Sequence, residues 1–584
     1  MKTEEVAGEP APAAAGSDAP PSAADTRRSR RREGVAVFAA GYLVHAALAL
    51  VMKVPIVMYD EYGYFATARH LAGEGQATHL RYHPGYAFVL IPAFLVTSTS
   101  DGAYHVALFG INALLGALTT LIVWRLVLVL APAGISRRAR LLSTAAVALY
   151  PSWLLYTNLT WSENLLIPIA AGLVLMTGRL ARGSSAVFAL GYGTLAGFAY
   201  LAHPRGLGLT GAAVLVGLLV LPRAGRLLRG GLLLSSAAAV TVAARPITRD
   251  VTDSAGWKSE SFLKGFGLGD VPHLLAAMGG HLFYLSAATY GLAPLGVYAF
   301  VCLLRREGFR TERGAIALCA LVAAGAMLFV SGMFWHDPFR SDQPIYGRYD
   351  EATLVPILTA GVLLLQSAAP NRTRIGVMLV PIALLGFIPQ LVWSETLRST
   401  PPVNYNILGV APIVALGTGV HPLVIALAHG LVAVLLIVLA RRRPGALLPV
   451  LCAGMVIVGL GLEIGLFRHG SRDRAREQRV GAVLERLTPL VPPAQRCVAF
   501  DRNTVDVFAA SSYRYFVDGW RFAQPGEPTC PDFFLTRQPV PLVQGRVPGA
   551  TIVASERLGS TNRLWIRRGP LQDALVKAGV VEGR

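Results

Sequence analysis

Arginine clusters alternate with apolar runs along most of this chain, and that alternation limits what it can become. Between residues 34 and 466 the apolar runs approach the roughly 20 residues needed to cross a bilayer as helices. In lipid the backbone must satisfy its own hydrogen bonds, so these runs have to be helical. Spans are expected at 34–54, 104–128, 141–157, 162–181, 186–203, 206–222, 230–245, 282–304, 314–334, 351–367, 375–394, 420–440 and 445–466. Basic clusters fall in every second loop: Arg137/Arg138/Arg140, Arg179/Arg182, Arg223/Arg226/Arg229, Arg305/Arg306/Arg310/Arg313, Arg372/Arg374 and Arg441/Arg442/Arg443. Positively charged loops stay on the cytoplasmic side, which predicts about thirteen helices, an inside N-terminus and an outside C-terminus.

Only 15% of residues are charged, against about 25% in a soluble domain. The net charge of +19 is spread over short loop clusters rather than one basic face, so the partner it suggests is membrane lipid and not nucleic acid. The expected fold class is an α-helical multi-span membrane protein with a small extracytoplasmic α/β domain at its C-terminus. Residues 1–33 read as a disordered cytoplasmic N-terminus that ends in Arg27, Arg28, Arg30, Arg31 and Arg32. The run behind them looks like a signal peptide, with Ala47-Leu48-Ala49 as a passable cleavage triplet, but it is long enough to stay as an uncleaved helix. Residues 34–466 form the transmembrane domain; its first outer loop, 55–103, holds interfacial segments, including Pro84–Val96, which is too short to span.

From 467 to 584 the chain turns polar. A helix is expected at 474–488, with Val480, Val483, Leu484 and Leu487 on one face, and strands at 496–500, 532–536, 550–554 and 563–567. Cys497 and Cys530 lie in this region and could pair if it is outside the cell. Cys302, Cys319 and Cys452 fall in or beside spans and read as small apolar fillers.

The chemistry points to the stretch Tyr59-Asp60-Glu61-Tyr62-Gly63-Tyr64-Phe65, where two carboxylates sit just past the first span. Carboxylates at a membrane face are costly to desolvate, so they are solvated, paired or functional. Asp60 is the candidate catalytic base with Glu61 beside it; the alternative is that both simply end a helix in water. Tyr82 and His83 follow in Tyr82-His83-Pro84-Gly85-Tyr86. Glu163 opens the fourth span, either as a substrate contact or as a first-turn carboxylate on the helix dipole with Ser162 as cap. Trp153 and Trp161 fit an interfacial aromatic belt.

Arginines at outer ends are few. Arg205, next to His203 in Ala202-His203-Pro204-Arg205-Gly206, and Arg348, in Tyr346-Gly347-Arg348-Tyr349, are the two that stand out. Each is either a snorkelling residue or an anion fork. The tripeptide Tyr349-Asp350-Glu351 makes Asp350 a rival base at the outer surface. His336 and Asp337 are a weak metal signal. There is no phosphate-cradling glycine loop, no dinucleotide fingerprint and no Asp-x-Asp metal pair. An outer-face transferase has no nucleotide donors to draw on, so its donor has to be lipid-borne, with arginines to receive the departing phosphate.

These residues together resemble the GT-C superfamily of polyprenyl-phosphate-dependent membrane glycosyltransferases, most closely the protein O-mannosyltransferases and the lipid A aminoarabinose transferases. The likeness covers about residues 34–366 and rests on Asp60-Glu61, His83-Pro84, Pro151 followed by Ser162-Glu163, Arg205, and Arg348-Tyr349 before a span bearing Pro356. The resemblance implies that Asp60 is the general base of an inverting transfer. It places His83, Tyr82, Glu163, His203, Arg205, Arg348 and Tyr349 around the donor phosphate. Relatives carry Pro-Pro after this His or Lys; here the second position is Gly85, a departure. The implied partners are a polyprenyl-phosphate sugar donor, a cell-envelope acceptor and membrane lipid. A divalent metal stays open, since relatives differ. Two rivals remain: a transporter, for which Glu463 and His429 would be the mid-span groups, and an inactive GT-C scaffold.

Overall fold

In the computed structural model the chain is mostly helical, with a small sheet near its C-terminus. The structure describes residues 23–52, 56, 58–73, 82–97, 99–132, 134–252, 267–367, 371–399, 402–417, 419–468, 479–500, 517, 519–523, 530–538, 540–558, 560–579 and 581. Most of the expected N-terminal tail and the start of the helix at 474 lie outside them.

Among the described residues, seven helices are long and apolar enough to cross a membrane: Ser100–Leu130, Glu163–Ala181, Arg226–Thr248, Glu312–Trp335, Arg372–Val392, Pro422–Arg442 and Pro444–Arg468. Shorter apolar helices cover Gly85–Val96, Ala186–Ala202, Gly206–Val220 and Glu351–Leu365. The protein is therefore a multi-span membrane protein. The first helix, Ala23–Ala49, carries the arginine cluster in its first half. Its Glu33 is buried and accepts from Trp124 Nε1 (3.0 Å) and Arg137 Nε (2.9 Å), which ties this helix to its neighbours.

Two expected spans are interrupted. The run 282–304 is not one helix: Val271–Ala288 and Leu292–Glu307 meet at a bend of 102°. Tyr290 (φ 53°) and Gly291 (φ 81°) turn the chain there in the left-handed region, and a Cβ on Gly291 would lie 2.7 Å from Met378 Cβ. The run 141–157 splits into Arg137–Ala148 and Pro151–Tyr156. Proline disfavours helical backbone in the residue before it, and Tyr150 takes ψ 122°. Apolar content carried both runs in the sequence; backbone geometry broke them.

The C-terminal sheet has the order β2-β1-β3-β5-β4, from β1 (Cys497–Phe500), β2 (Arg521–Ala523), β3 (Phe533–Thr536), β4 (Thr551–Leu558) and β5 (Ser560–Ile566). β1 runs parallel to β2 and β3, whereas β5 is antiparallel to β3 and β4. Helix Arg479–Leu487 buries Val480, Leu484 and Leu487 against this sheet, with Val483 partly covered. β2 is only three residues long, too short for alternation to reveal it in the sequence. Cys497 and Cys530 are joined in a disulfide, with their Cα atoms 5.2 Å apart.

Candidate active site

The site is assembled from connections at one end of the helices. Asp60 and Glu61 do not end a helix in water: they open the helix Met58–Leu71, and Glu61 is fully buried. Glu61 accepts from the backbone N–H of Ile56 (2.9 Å) and of Thr160 (3.0 Å), so it clasps two loops together. The Thr157–Ser162 connection it grips is held from below as well. Asn112 Nδ2 donates to the carbonyls of Thr157 and Leu159, and Asn164 Nδ2 donates to those of Tyr156 and Leu159. Buried backbone carbonyls at a non-helical turn need such partners.

That pinned connection delivers Trp161 and Glu163. Both tryptophans of this hairpin are buried rather than set in a lipid-facing belt, and the Arg348 guanidinium lies 3.4 Å from the Trp161 ring centroid. Ser162 makes no side-chain cap. Instead Glu163, 2% exposed, takes Arg348 in a two-pronged fork, Nε–Oε1 2.7 Å and Nη2–Oε2 3.0 Å. The third guanidinium nitrogen, Nη1, donates to Asp60 Oδ2 at 2.5 Å. Tyr82 donates its hydroxyl to Asp60 Oδ1 at 2.6 Å. Asp60 is thus one arm of a carboxylate–guanidinium–carboxylate triad, and it keeps 21% of its side chain exposed while Arg348 keeps 4%. Burial alone would raise the Asp60 pKa, but Arg348 and the Tyr82 hydroxyl outweigh it and hold the carboxyl below its usual range. At neutral pH Asp60 is ionised.

Arg205 is buried (4% exposed) under the rings of Phe334 and Tyr349, with His203 beside Tyr349 at 5.8 Å between centroids. Its Nε and Nη1 are buried and have no hydrogen-bond partner among the described residues. A buried guanidinium with unpaired N–H groups is costly, and an anion is the group that would satisfy it. Arg205 also helps hold the Asp60 carboxyl down, so the two groups share one electrostatic environment.

His83 is buried, and its Nδ1 lies 2.5 Å from the Tyr200 carbonyl oxygen. Burial pushes its pKa down to about 4, so the ring is neutral and brings no charge to a phosphate. The Gly85 departure has a structural cause here: a Cβ at this position would lie 2.6 Å from Ala202 N and Leu201 C. The hairpin that carries His203 and Arg205 packs directly on this glycine. Gly85→Ala is expected to cost about 1–3 kcal/mol through overpacking, read as a lowered melting temperature of the purified protein; an unchanged melt would rule out this close approach.

Asp350, the rival base, is not at the surface. It is 1% exposed, with Oδ2 3.0 Å from His281 Nδ1, which leaves it closed to an incoming substrate. Glu351 is also fully buried and accepts the hydroxyls of Tyr150 (2.8 Å), Tyr156 (2.6 Å) and Tyr284 (2.6 Å). This tyrosine cage was invisible in the sequence because its members lie up to 201 positions apart from Glu351. It anchors the segment that carries Arg348 three residues earlier. Of the mid-span groups, Glu463 accepts from Asn158 Nδ2 (2.7 Å), and His429 Nδ1 lies 2.8 Å from the Ala287 carbonyl. His336 Nδ1 contacts the Met333 carbonyl oxygen (2.9 Å), and no group of three metal-ligating side chains occurs among the described residues.

No family model matches the sequence, and no curated protein matches it. Solved structures do. The aminoarabinose transferase ArnT from Cupriavidus metallidurans, bound to undecaprenyl phosphate, matches at TM-score 0.54 and 16% identity, over 92% of this chain and 98% of its own. Its apo form matches at TM-score 0.51 and 16% identity, over 93% and 99%. Arabinosyltransferase EmbB from Mycobacterium smegmatis aligns over 75% of this chain and 41% of its own at 16% identity, with a TM-score of only 0.40. Along nearly its whole length the chain therefore shares the fold of the ArnT structures.

Proposed function

We propose that the protein is an inverting glycosyltransferase that moves a sugar from a polyprenyl-phosphate carrier to a hydroxyl of a cell-envelope glycan, lipid or protein. The observation that carries this reading is a partly open, ionised Asp60 in the same electrostatic environment as a buried Arg205 whose Nε and Nη1 lack partners among the described residues. The ArnT structure holds undecaprenyl phosphate, the sugar-free carrier of the donor class proposed here.

In this mechanism the acceptor hydroxyl attacks the anomeric carbon from the face opposite the phosphate and gives its proton to Asp60. The carbon–oxygen bond to the carrier breaks, and the polyprenyl phosphate leaves with its electron pair. Arg205 and Arg348 receive the developing charge in a site with little water, where such stabilisation is large. A phosphate at these arginines competes with Asp60 for the same positive charge, which raises the basicity of Asp60 once the donor is bound. Tyr82 orients the carboxylate, Glu163 fixes Arg348, and Glu61 holds the loops rather than reacting. His203 and Tyr349 shape the pocket over Arg205, and His83 serves as a neutral spacer under the hairpin.

The protein would sit in the plasma membrane with about thirteen crossings, counting the shorter and bent helices, and with its N-terminus inside by the arginine rule. The disulfide in the C-terminal domain supports an extracytoplasmic place for residues 467–584.

The test is transfer by the purified protein with a panel of polyprenyl-phosphate sugars and an envelope acceptor fraction. Arg205→Gln is expected to raise the donor KM about 10- to 100-fold, the scale of a charge-assisted contact worth about 1.5–3 kcal/mol. An unchanged KM would remove Arg205 from the donor site, and binding without turnover of any donor would favour the inactive scaffold.

A further inference from the structure

Leu354–Leu365 follows the Arg348 segment directly, and at the other end of this helix, about 18 Å along its axis, lies a second cavity. Its volume is about 660 Å³, within the range of ligand sites. The cavity opens between this helix and Leu292–Glu307, and its walls are apolar, with Leu130, Phe300, Leu303, Leu363 and Leu364. Its rim is polar, formed by Arg306, Glu307, Arg313 and Ser367, with one net positive charge. Packed helix bundles leave few voids of this size.

The protein balances only part of the charge on the rim, because Glu307 offsets one of the two arginines. The acidic residues of this stretch are taken: Glu307 pairs with Arg313 at 2.9 Å, and Glu312 with Arg182 at 3.2 Å. Arg306 lines the cavity, is exposed, and has no carboxylate partner among the described residues. Arg313 Nε is buried there without a hydrogen-bond partner. Apolar walls that continue into a rim with one unpaired guanidinium, Arg306, and one net positive charge fit a molecule with a hydrocarbon chain and an anionic phosphate head. The Tyr298 and Arg306 side is exposed, so such a molecule could enter from the bilayer.

We propose that this cavity binds an anionic phospholipid of the leaflet opposite the Asp60 site, one acyl chain lying along the Leu303–Leu363 wall and the phosphate on Arg306 and Arg313. The site is separate from the donor site, and its test does not depend on catalytic activity.

Cys302 is a free, partly exposed thiol that lines the cavity and so reports on occupancy. The protein is placed in phosphatidylcholine nanodiscs with and without phosphatidylglycerol, and N-ethylmaleimide labelling of Cys302 is followed by peptide mass spectrometry. Phosphatidylglycerol is expected to slow labelling at least five-fold. Arg306→Gln should abolish that protection, while Arg305→Gln, outside the cavity, should keep it. Equal labelling in both discs would overturn the proposal, as would protection that survives Arg306→Gln. Equal protection by free glycerol phosphate would overturn it too, because the cavity would then hold a small anion and not a lipid.

Discussion

Asp60→Asn is expected to abolish sugar transfer, with kcat down by about 10²–10⁴-fold, the usual contribution of a positioned general base. The substitution keeps the shape of the side chain and removes only its charge and its proton affinity. Arg348 stays in place because Glu163 holds two of its nitrogens independently of Asp60. Donor binding is therefore expected to persist, and to tighten slightly, since one carboxylate no longer competes with the phosphate for Arg348 and Arg205. The measurement is single-turnover transfer alongside equilibrium binding of the same donor. Asp350→Asn is the companion control and should turn over within a few-fold of wild type, because Asp350 is sealed against His281. A dead Asp350→Asn beside an active Asp60→Asn would move the base and leave the fold intact.

The second large effect is on stability. Glu163→Gln removes the bidentate partner of a guanidinium that is only 4% exposed. Leaving one member of a buried pair uncompensated costs about 3–5 kcal/mol, and the lower end applies here because Asp60 still contacts Nη1. The expected outcome is a clear drop in melting temperature in detergent. Removing the partner as well should recover part of it, so Glu163→Gln/Arg348→Gln should melt above Glu163→Gln alone, and adding Arg348→Gln completes the cycle that measures the coupling. If the losses of the two single variants add up to that of the double, the fork contributes no coupling and the triad is only a proximity of charges.

The tyrosine cage on Glu351 explains why the rival Tyr-Asp-Glu sequence behaves so differently from the first. Both tripeptides place two carboxylates side by side, Asp60-Glu61 just past a span and Asp350-Glu351 at the start of one. In the fold, three hydroxyls from Tyr150, Tyr156 and Tyr284 close around one Glu, whereas the other pair splits between a loop clasp and an open site. Burial decided which carboxylate could meet a substrate.

Apolar runs broken by arginine clusters were enough to establish a helical membrane protein, because a backbone in lipid has no alternative way to satisfy its hydrogen bonds. The same local signals marked Asp60, Arg205 and Arg348 as unusual, since charge at a membrane face always needs a partner or a purpose. What the sequence left open was every relation between distant positions. The fork from Arg348 to Glu163 spans 185 positions, and the bond to Asp60 spans 288. The bend at Tyr290-Gly291 depends on a neighbouring helix that reaches within van der Waals distance of the glycine. Hydropathy is a property of a segment, so it is legible one window at a time. A triad, a cage or a broken helix is a property of packing between segments, and only the tertiary structure could decide it.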